Sequence, residues 1–345
     1  MNIKMNKDQL VQLTLDLCHI DATTGKEKAT IDYLETFLNQ KKWTTKRQHV
    51  GPEDGRDNLW AFAGSQDNLI LFTTHVDTVP DYIPPKLSKG GQSIFGRGVC
   101  DAKGIAACMI AAAENLREQH IPVALLFVVG EETNSAGAKT AAQFGIKADY
   151  VVNGEPTQLK LVRAMKGVVA FELQCQGIAA HSAYPQAGHS AVHQLIQDVH
   201  RLVHLDWPSN DDLGKTTCNI GVIQGGKAQN VIADQASAKG LIRATVNAET
   251  IVKLIKSNID PKTTLNITSC SDPQYLKVVD GLETDVVSFG SDVPYLREIG
   301  EPLLLGPGSI LDAHTINEQI QVDDLHRAVE LYIKLGMNLT CKHSH

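Results

Sequence analysis

The chain has 345 residues, more than one compact domain usually holds, so two domains are expected. Hydrophobic residues make up 43%, enough for sizeable cores and against a disordered chain, and the net charge of −7 argues against a nucleic-acid-binding surface. The cysteines (Cys18, Cys100, Cys108, Cys175, Cys218, Cys270 and Cys341) form no C-x-x-C pair and are odd in number, which reads as free thiols in a reducing compartment. The first residues carry no apolar stretch of signal-peptide length, and no run of about 18 apolar residues occurs anywhere. A cytoplasmic protein without membrane contact is the expectation.

Leu10, Val11, Leu13, Leu15 and Leu17 give residues 8–18 a helical pattern that runs into a loop at 21–25. A second helix carries Ile31, Leu34, Phe37 and Leu38 on one stripe. Strands are expected near 58–63 and 68–74, the second ending in His75-Val-Asp77. Side chains at i and i+2 of an extended chain share a face, so Asp77 is placed to accept the second ring N–H of His75 and fix its tautomer. A Pro/Gly/Ser/Lys-rich loop over 81–99 precedes an alanine-rich helix over 103–119, with Asp101 in the N-cap position. Residues 123–129 form a continuous apolar run, the mark of a strand buried on both faces, and end in Gly130-Glu131-Glu132. Residues 150–152 form another, ending in Asn153-Gly154-Glu155. Alternation of strand and helix predicts an α/β sandwich.

The character changes at Lys166. Phe171, Leu173 and Cys175 alternate with Glu172, Gln174 and Gln176, a strand with one wet face. A loop with His181 follows, then a helix over 191–205, β-like runs over 216–224 and 236–246, a helix and a strand near 264–269. A four-stranded sheet with two helices is expected for 166–271. A strand at 303–305, the turn Gly306-Pro307-Gly308 and a helix over 324–339 return to α/β character. The fold class is therefore α/β, a central mixed sheet flanked by helices over 1–165 and 272–345, with a smaller α+β domain inserted at 166–271.

His75, Asp101, Glu132, Glu155 and His314 all fall in loops after strands or ahead of helices. Ligands of open α/β sheets bind at the carboxyl ends of strands. Mixed imidazole and carboxylate donors suit zinc or a similar ion. Five such donors are too many for one tetrahedral ion and match two ions about 3.5–4 Å apart, bridged by a carboxylate. For each residue alone, a cap, a surface charge or a hydrogen-bonded histidine is the plainer reading.

The whole chain resembles the M20 co-catalytic metallopeptidases and deacylases. The motifs that carry the resemblance are His75-Val-Asp77-Thr-Val-Pro, Gly98-Val-Cys-Asp101-Ala-Lys-Gly104, Gly130-Glu131-Glu132, Gly154-Glu155-Pro-Thr157, Ala180-His181-Ser182, Gly225-Gly226-(x)3-Asn230 and Gly306-Pro-Gly308-(x)5-His314-Thr-(x)-Asn-Glu318. The resemblance implies a di-metal catalytic domain with two Zn2+ ions, replaceable by Co2+ or Mn2+. It makes Asp101 the bridge, with His75 and Glu155 at one ion and Glu132 and His314 at the other. It gives catalytic roles to Asp77 beside His75, to Glu131 as general base, and to His181 as oxyanion donor from the neighbouring subunit. Asn230, Arg243, Gly306 and Gly308 become substrate contacts, and the inserted domain a lid through which a homodimer forms. Departures fall at Arg243-Ala244-Thr245, where the deacetylases have proline and glycine after the arginine, and at Ala233, where proline is usual.

Glutamate rather than aspartate at 155 goes, by the same resemblance, with deacylases and carboxypeptidases. The leading expectation is an amidohydrolase of a small N-acyl amino acid, similar to N-acetylornithine deacetylase and serving arginine biosynthesis. A metallo-exopeptidase, a succinyl-diaminopimelate desuccinylase and a catalytically silent metal-binding scaffold are the alternatives. A dinucleotide-dependent enzyme is disfavoured, because Gly96-x-Gly98 is followed by Asp101 rather than by a third glycine.

Overall fold

The computed structural model describes residues 5–52, 55–64 and 69–341. The chain divides into two units. The larger contains the residues up to Arg163, Leu276–Asp285 and those from Ser291 onward; the smaller is Ala164–Tyr275 with Val286–Gly290. The smaller unit is thus somewhat wider than the expected 166–271. Gln274 and Tyr275 pair with Met165 and Ala164, and the Lys166 N–H donates to the Val287 carbonyl at 3.1 Å, which ties these flanks to it.

In chain order the larger unit begins with α1 (Lys7–Cys18) and α2 (Lys28–Gln40), then β1 (Thr44–His49), β2 (Asp57–Phe62) and β3 (Ile70–His75). The start of α1 is closed by a reciprocal cap between Asn6 and Gln9. Next come α3 (Lys103–Glu118), β4 (Val123–Val128), the short helices α4 (Glu131–Asn134) and α5 (Ala136–Ala141), and β5 (Tyr150–Asn153). The smaller unit supplies β6 (Gly167–Gln176), α6 (Ala191–Val203), β7 (Thr217–Gly225), β8 (Gln235–Ala244), α7 (Ala248–Asn258) and β9 (Thr264–Ser271). The chain returns with α8 (Val293–Leu296), β10 (Glu301–Leu304) and α9 (Val322–Cys341).

The large sheet has the order β1-β2-β4-β3-β5-β10. β4, β3, β5 and β10 are parallel, and the β1–β2 hairpin is added antiparallel at one edge. Strand periodicity divides the apolar runs between two cores. Ile70, Phe72, Leu125, Phe127 and Val152 pack with α1, α2, α3 and α9, while Leu69, Leu71, Leu126, Val128 and Val151 pack with residues of α5 and α8. The central strands are therefore apolar along their whole length because both faces are covered. β1 has no apolar signature. Its residues Thr-Thr-Lys-Arg-Gln-His lie at the sheet edge, and Arg47 pairs there with Glu35 and Asp32 at 2.5 and 2.8 Å. Polar, charged side chains on an edge protect it from pairing with another chain.

The smaller unit is an antiparallel sheet in the order β7-β8-β6-β9. Val169, Phe171, Leu173 and Cys175 of β6 turn to the core with α6 and α7, and the intervening residues stay half-buried. β7 is an edge strand whose Val222 and Ile223 are exposed. Cys18, Cys100, Cys108 and Cys175 are buried free thiols. Among the described residues no helix is long and apolar enough to cross a membrane.

Candidate metal centre

Three neighbouring parallel strands end side by side, about 4.8 Å apart. β3 ends in His75, β4 leads through Gly130 into Glu131 and Glu132 of α4, and β5 leads through Gly154 into Glu155. Gly130 adopts φ +76°, the left-handed turn that reverses the chain into α4. At Gly154 a Cβ would lie 2.5 Å from Ile105 Cγ2 of α3, so only glycine lets the backbone turn under that helix.

Two groups of donors result. His75, Asp101 and Glu155 have ligand atoms within 4.8 Å of one another, and so do Asp101, Glu132 and His314. Asp101 belongs to both. Its Oδ1 lies 3.0 Å from His75 Nε2 and its Oδ2 lies 3.3 Å from His314 Nε2, while His314 Nε2 is 3.0 Å from Glu132 Oε1. The expected capping role for Asp101 does not occur: α3 starts after Ala102, and no side chain caps it. His314 reaches the group from a loop after β10, in the left-handed conformation with φ +62°.

Asp77 corrects one expectation. The Nδ1–H of His75 donates to the backbone carbonyl of Asp77 at 2.9 Å, and the nearest carboxylate oxygen is 3.6 Å away. The carboxylate is engaged elsewhere. It accepts the N–H of Glu131 at 3.1 Å, the N–H of Glu132 at 3.2 Å and the Thr24 hydroxyl at 2.8 Å. His75 still has its tautomer set, with Nε2 facing Asp101, but by a carbonyl. Asp77 anchors the first turn of α4, where negative charge is favourable.

The electrostatics follow from so many acids in little water. Burial, then repulsion from Glu131, holds Glu155 well above the usual carboxylate range. Glu131 is raised by burial and by Asp292, Glu132 and Asp101, against the attraction of His75. Asp101 goes the other way: burial opposes its charge, but hydrogen bonds from His314 and His75 hold it ionised far below the usual range. His314 is pushed up to about 10 by its bonds to Asp101 and Glu132.

The remaining predicted residues fall elsewhere. In the smaller unit the Ser182 N–H donates to the Asn230 carbonyl and the Ile232 N–H to the Ala180 carbonyl, so the loops bearing His181 and Asn230 run together. His181 Nδ1 accepts the Ala183 N–H at 3.1 Å, leaving an Nε2–H donor on an exposed ring. Arg243 is half-buried at the far end of β8, beside Gly290. Gly306 has its N–H taken by Thr157 Oγ1 at 3.0 Å and its carbonyl by Leu159 N–H at 2.9 Å, and Gly308 turns at φ +80° against Cys100. Both glycines hold a turn, and the Gly306 N–H is not free for a ligand.

Sequence reasoning passed over Asp292 and the role of Glu318. Asp292 is fully buried, its Oδ1 accepts no hydrogen bond from the described residues, and burial raises it to about 6 against a Ser135 hydrogen bond. No apolar run precedes it, so no strand-end signal marks it. Glu318 closes the His314 motif, and nothing in its spacing says what its carboxylate touches.

Known proteins resemble the chain in sequence and in fold. The model of peptidase family M20/M25/M40 matches residues 71–338. A peptidase M20 domain-containing protein of Schizosaccharomyces pombe is 37% identical over 341 residues, covering 96% of this chain and 84% of its own length. A protein of Ajellomyces dermatitidis described as a probable carboxypeptidase is 33% identical, with 97% and 88% covered. The crystal structure of a tripeptidase from Staphylococcus aureus shares the fold, with a TM-score of 0.82 at 22% identity and 97% and 99% covered. With these motifs and a family match over most of its length, the chain belongs to the M20/M25/M40 family of peptidases.

Proposed function

We propose that this chain is a two-metal exopeptidase that releases the C-terminal residue of short peptides. The observation that carries the reading is the sharing of Asp101 between two donor groups, each completed by one histidine and one glutamate. The relative described as a probable carboxypeptidase favours peptides over N-acyl amino acids, so the acetylornithine reading gives way to the exopeptidase alternative.

The residues fit a pair of cations. Glu131, Glu155 and Asp292 repel one another in a space with too few positive partners, and two divalent charges answer that repulsion. Nitrogen and carboxylate donors suit Zn2+, with Co2+ or Mn2+ as replacements. His75, Asp101 and Glu155 would hold one ion, and Asp101, Glu132 and His314 the other. When bound, such a pair polarises the scissile carbonyl and makes water acidic enough to lose a proton at neutral pH. Glu131 belongs to neither donor group, yet α4 holds it one residue from Glu132. It takes the proton from water and delivers it to the leaving amine nitrogen, as the water oxygen joins the carbonyl carbon and the C–N bond breaks. His181, with its free Nε2–H, donates to the oxyanion, and Arg243 forks onto the substrate carboxylate.

A homodimer through the smaller unit is part of the proposal. At about 3.3 Å per residue, β8 places Arg243 roughly 26 Å from Gln235, where the His181–Asn230 loops enter. That separation favours a site to which two copies of the unit contribute, with Arg243 from one and His181 and Asn230 from the other. The exposed edge of β7 and the outer face of α6, with Ile196 and Val203, offer apolar surface for the second copy.

Amine release from a panel of di- and tripeptides, their N-blocked and C-amidated forms, and N-acetyl and N-succinyl amino acids tests the activity. Cleavage that survives N-blocking and is lost on C-amidation is expected. A requirement for a free amine, or turnover of acyl amino acids alone, overturns the carboxypeptidase reading. Mixing Glu131→Ala with His181→Ala should restore up to about a quarter of activity if His181 acts across the dimer; two inactive variants that stay inactive together overturn that role.

A further inference from the structure

Glu318 is almost wholly buried, four residues beyond His314 on the same loop, and belongs to neither donor group. Its Oε1 accepts three backbone N–H groups of one segment: Gly98 at 2.9 Å, Cys100 at 3.1 Å and Asp101 at 3.2 Å. Its Oε2 accepts from Arg97 Nη1 at 2.8 Å, and its own carbonyl accepts the Gly96 N–H at 3.0 Å. Immediately after it, Gln319 and Gln321 pair with Phe95 and Ser93. The left-handed Gly98, φ +84°, curls the segment so that its N–H groups converge on one oxygen. Such a concave set of backbone donors selects an anion, and a carboxylate from the chain itself fills it.

We infer that Glu318 is a positioning residue that fixes the distance between Asp101 and His314, and so sets the affinity of the Asp101–Glu132–His314 group for its cation. The inference rests on the two-metal reading above. The carboxylate grips the backbone that carries Asp101, while the short loop it belongs to carries His314, so the two donors are held relative to each other through one side chain. His75 and Glu155 come from the ends of β3 and β5, whereas the Glu318 carboxylate bonds to Arg97, Gly98, Cys100 and Asp101. Loss of the carboxylate therefore acts unequally: it loosens the His314 group and leaves the His75 group with two of its three donors in place. An amide at 318 can keep the Gly98, Cys100 and Asp101 bonds only by turning its NH2 onto the Arg97 guanidinium, so donors oppose one another whichever way it turns.

The test is a Co2+ titration of metal-free protein, followed by calorimetry and by the visible cobalt bands. His314→Ala first assigns which of the two dissociation constants belongs to the His314 group. In Glu318→Gln that constant should weaken by about 10- to 100-fold, with a clearly smaller change in the other. Glu318→Asp, which keeps the charge on a shorter arm, should weaken it less and stands in if the amide variant does not fold. Trp43→Phe is the control for stability alone, since it removes a buried 2.5 Å bond to Glu114 remote from the donors and should move neither constant. If both glutamate variants bind two Co2+ ions with wild-type constants, the inference is overturned, and so it is if both constants fall equally. Wild-type protein that binds fewer than two ions instead overturns the two-metal reading itself.

Discussion

Replacing Asp77 by asparagine separates two roles that the structure assigns to different atoms of one residue. The backbone carbonyl, which receives the His75 Nδ1–H, is untouched by the change. The carboxylate loses its charge and one acceptor. In the better of its two orientations the amide oxygen keeps Thr24 and Glu132, and its NH2 then faces the Glu131 N–H. One charge-assisted bond is lost, worth about 1.5–3 kcal/mol, and two donors are left facing each other. Because α4 is a single turn beginning at Glu131, the backbone of the proposed base is the first to move. We expect kcat to fall about 10- to 100-fold while metal content stays at the wild-type value. The assay is kcat and KM on the preferred peptide, with metal measured on the same samples and urea melts of the metal-free protein. Loss of metal with kcat per loaded enzyme unchanged would falsify the reasoning, since the carboxylate would then act on His75. A pH signature accompanies the stability loss. Burial opposes the Asp77 charge, but His75, Thr24 and the Glu132 N–H hold it below the ordinary carboxylate value. Its contribution is therefore present above about pH 4 and disappears as pH falls through the depressed folded value, so the acid limb of the wild-type melt should flatten in the variant.

Glu131→Gln should bind both metals and lose about 10²- to 10⁴-fold in kcat; near-wild-type turnover would remove Glu131 from the role of base. Treatment with a strong chelator should abolish activity, and Zn2+ or Co2+ should restore it; activity that survives at undetectable metal content would sink the two-metal reading. Its bonds to Asp101 and Glu132 push His314 up to about 10 in the absence of metal, above the roughly 6.5 of an unfolded histidine, so the pairing should stabilise fully below about pH 6.5 and be lost as pH rises through about 10. Melts of chelated protein across that range should fall on the alkaline side, and His314→Gln should flatten the fall; an unchanged alkaline limb in the variant would refute the assignment.

What was legible in the sequence is what burial writes into composition. β4 is recognisable because both of its faces are covered, so Val123–Val128 must be apolar throughout, and the same holds for β3 and β5. Polar residues that end such runs stand out, which is why His75, Glu131, Glu132 and Glu155 can be read without coordinates. β6 shows as an alternation because one face alone is covered. β1 is silent because an exposed edge selects against apolar residues. Asp77 was placed on the correct face, but period two says only that side chains share a face, not which of two acceptors the ring meets. The Asp101 cap failed for a similar reason: an acid ahead of a helix fits a cap and a ligand equally well, and the His75 and His314 rings that decide between them come from distant segments. Asp292 lies outside any regular strand, so its burial has no local pattern to betray it.

The first acid after each of the two donor histidines has a parallel task. Asp77 follows His75 by two residues and holds the backbone of Glu132, a donor of the group to which His75 does not belong. Glu318 follows His314 by four and holds the backbone of Asp101, the donor common to both groups. Each histidine-bearing loop thus carries a buried carboxylate that grips, through N–H bonds, the segment presenting a carboxylate donor. Backbone N–H groups are the shared target, and at Glu318 the Arg97 guanidinium occupies the second oxygen, turned away from the donors. The acids that bind and the acids that brace are chemically alike, and their partners tell them apart: donor carboxylates face rings and one another, while bracing carboxylates face backbone amides, with a Thr24 hydroxyl added at Asp77 and the Arg97 guanidinium at Glu318. Like charges packed this closely would drift apart on flexible loops. Two cross-ties of about three hydrogen bonds each oppose that drift, in the range of several kcal/mol at the values usual for bonds to charged groups.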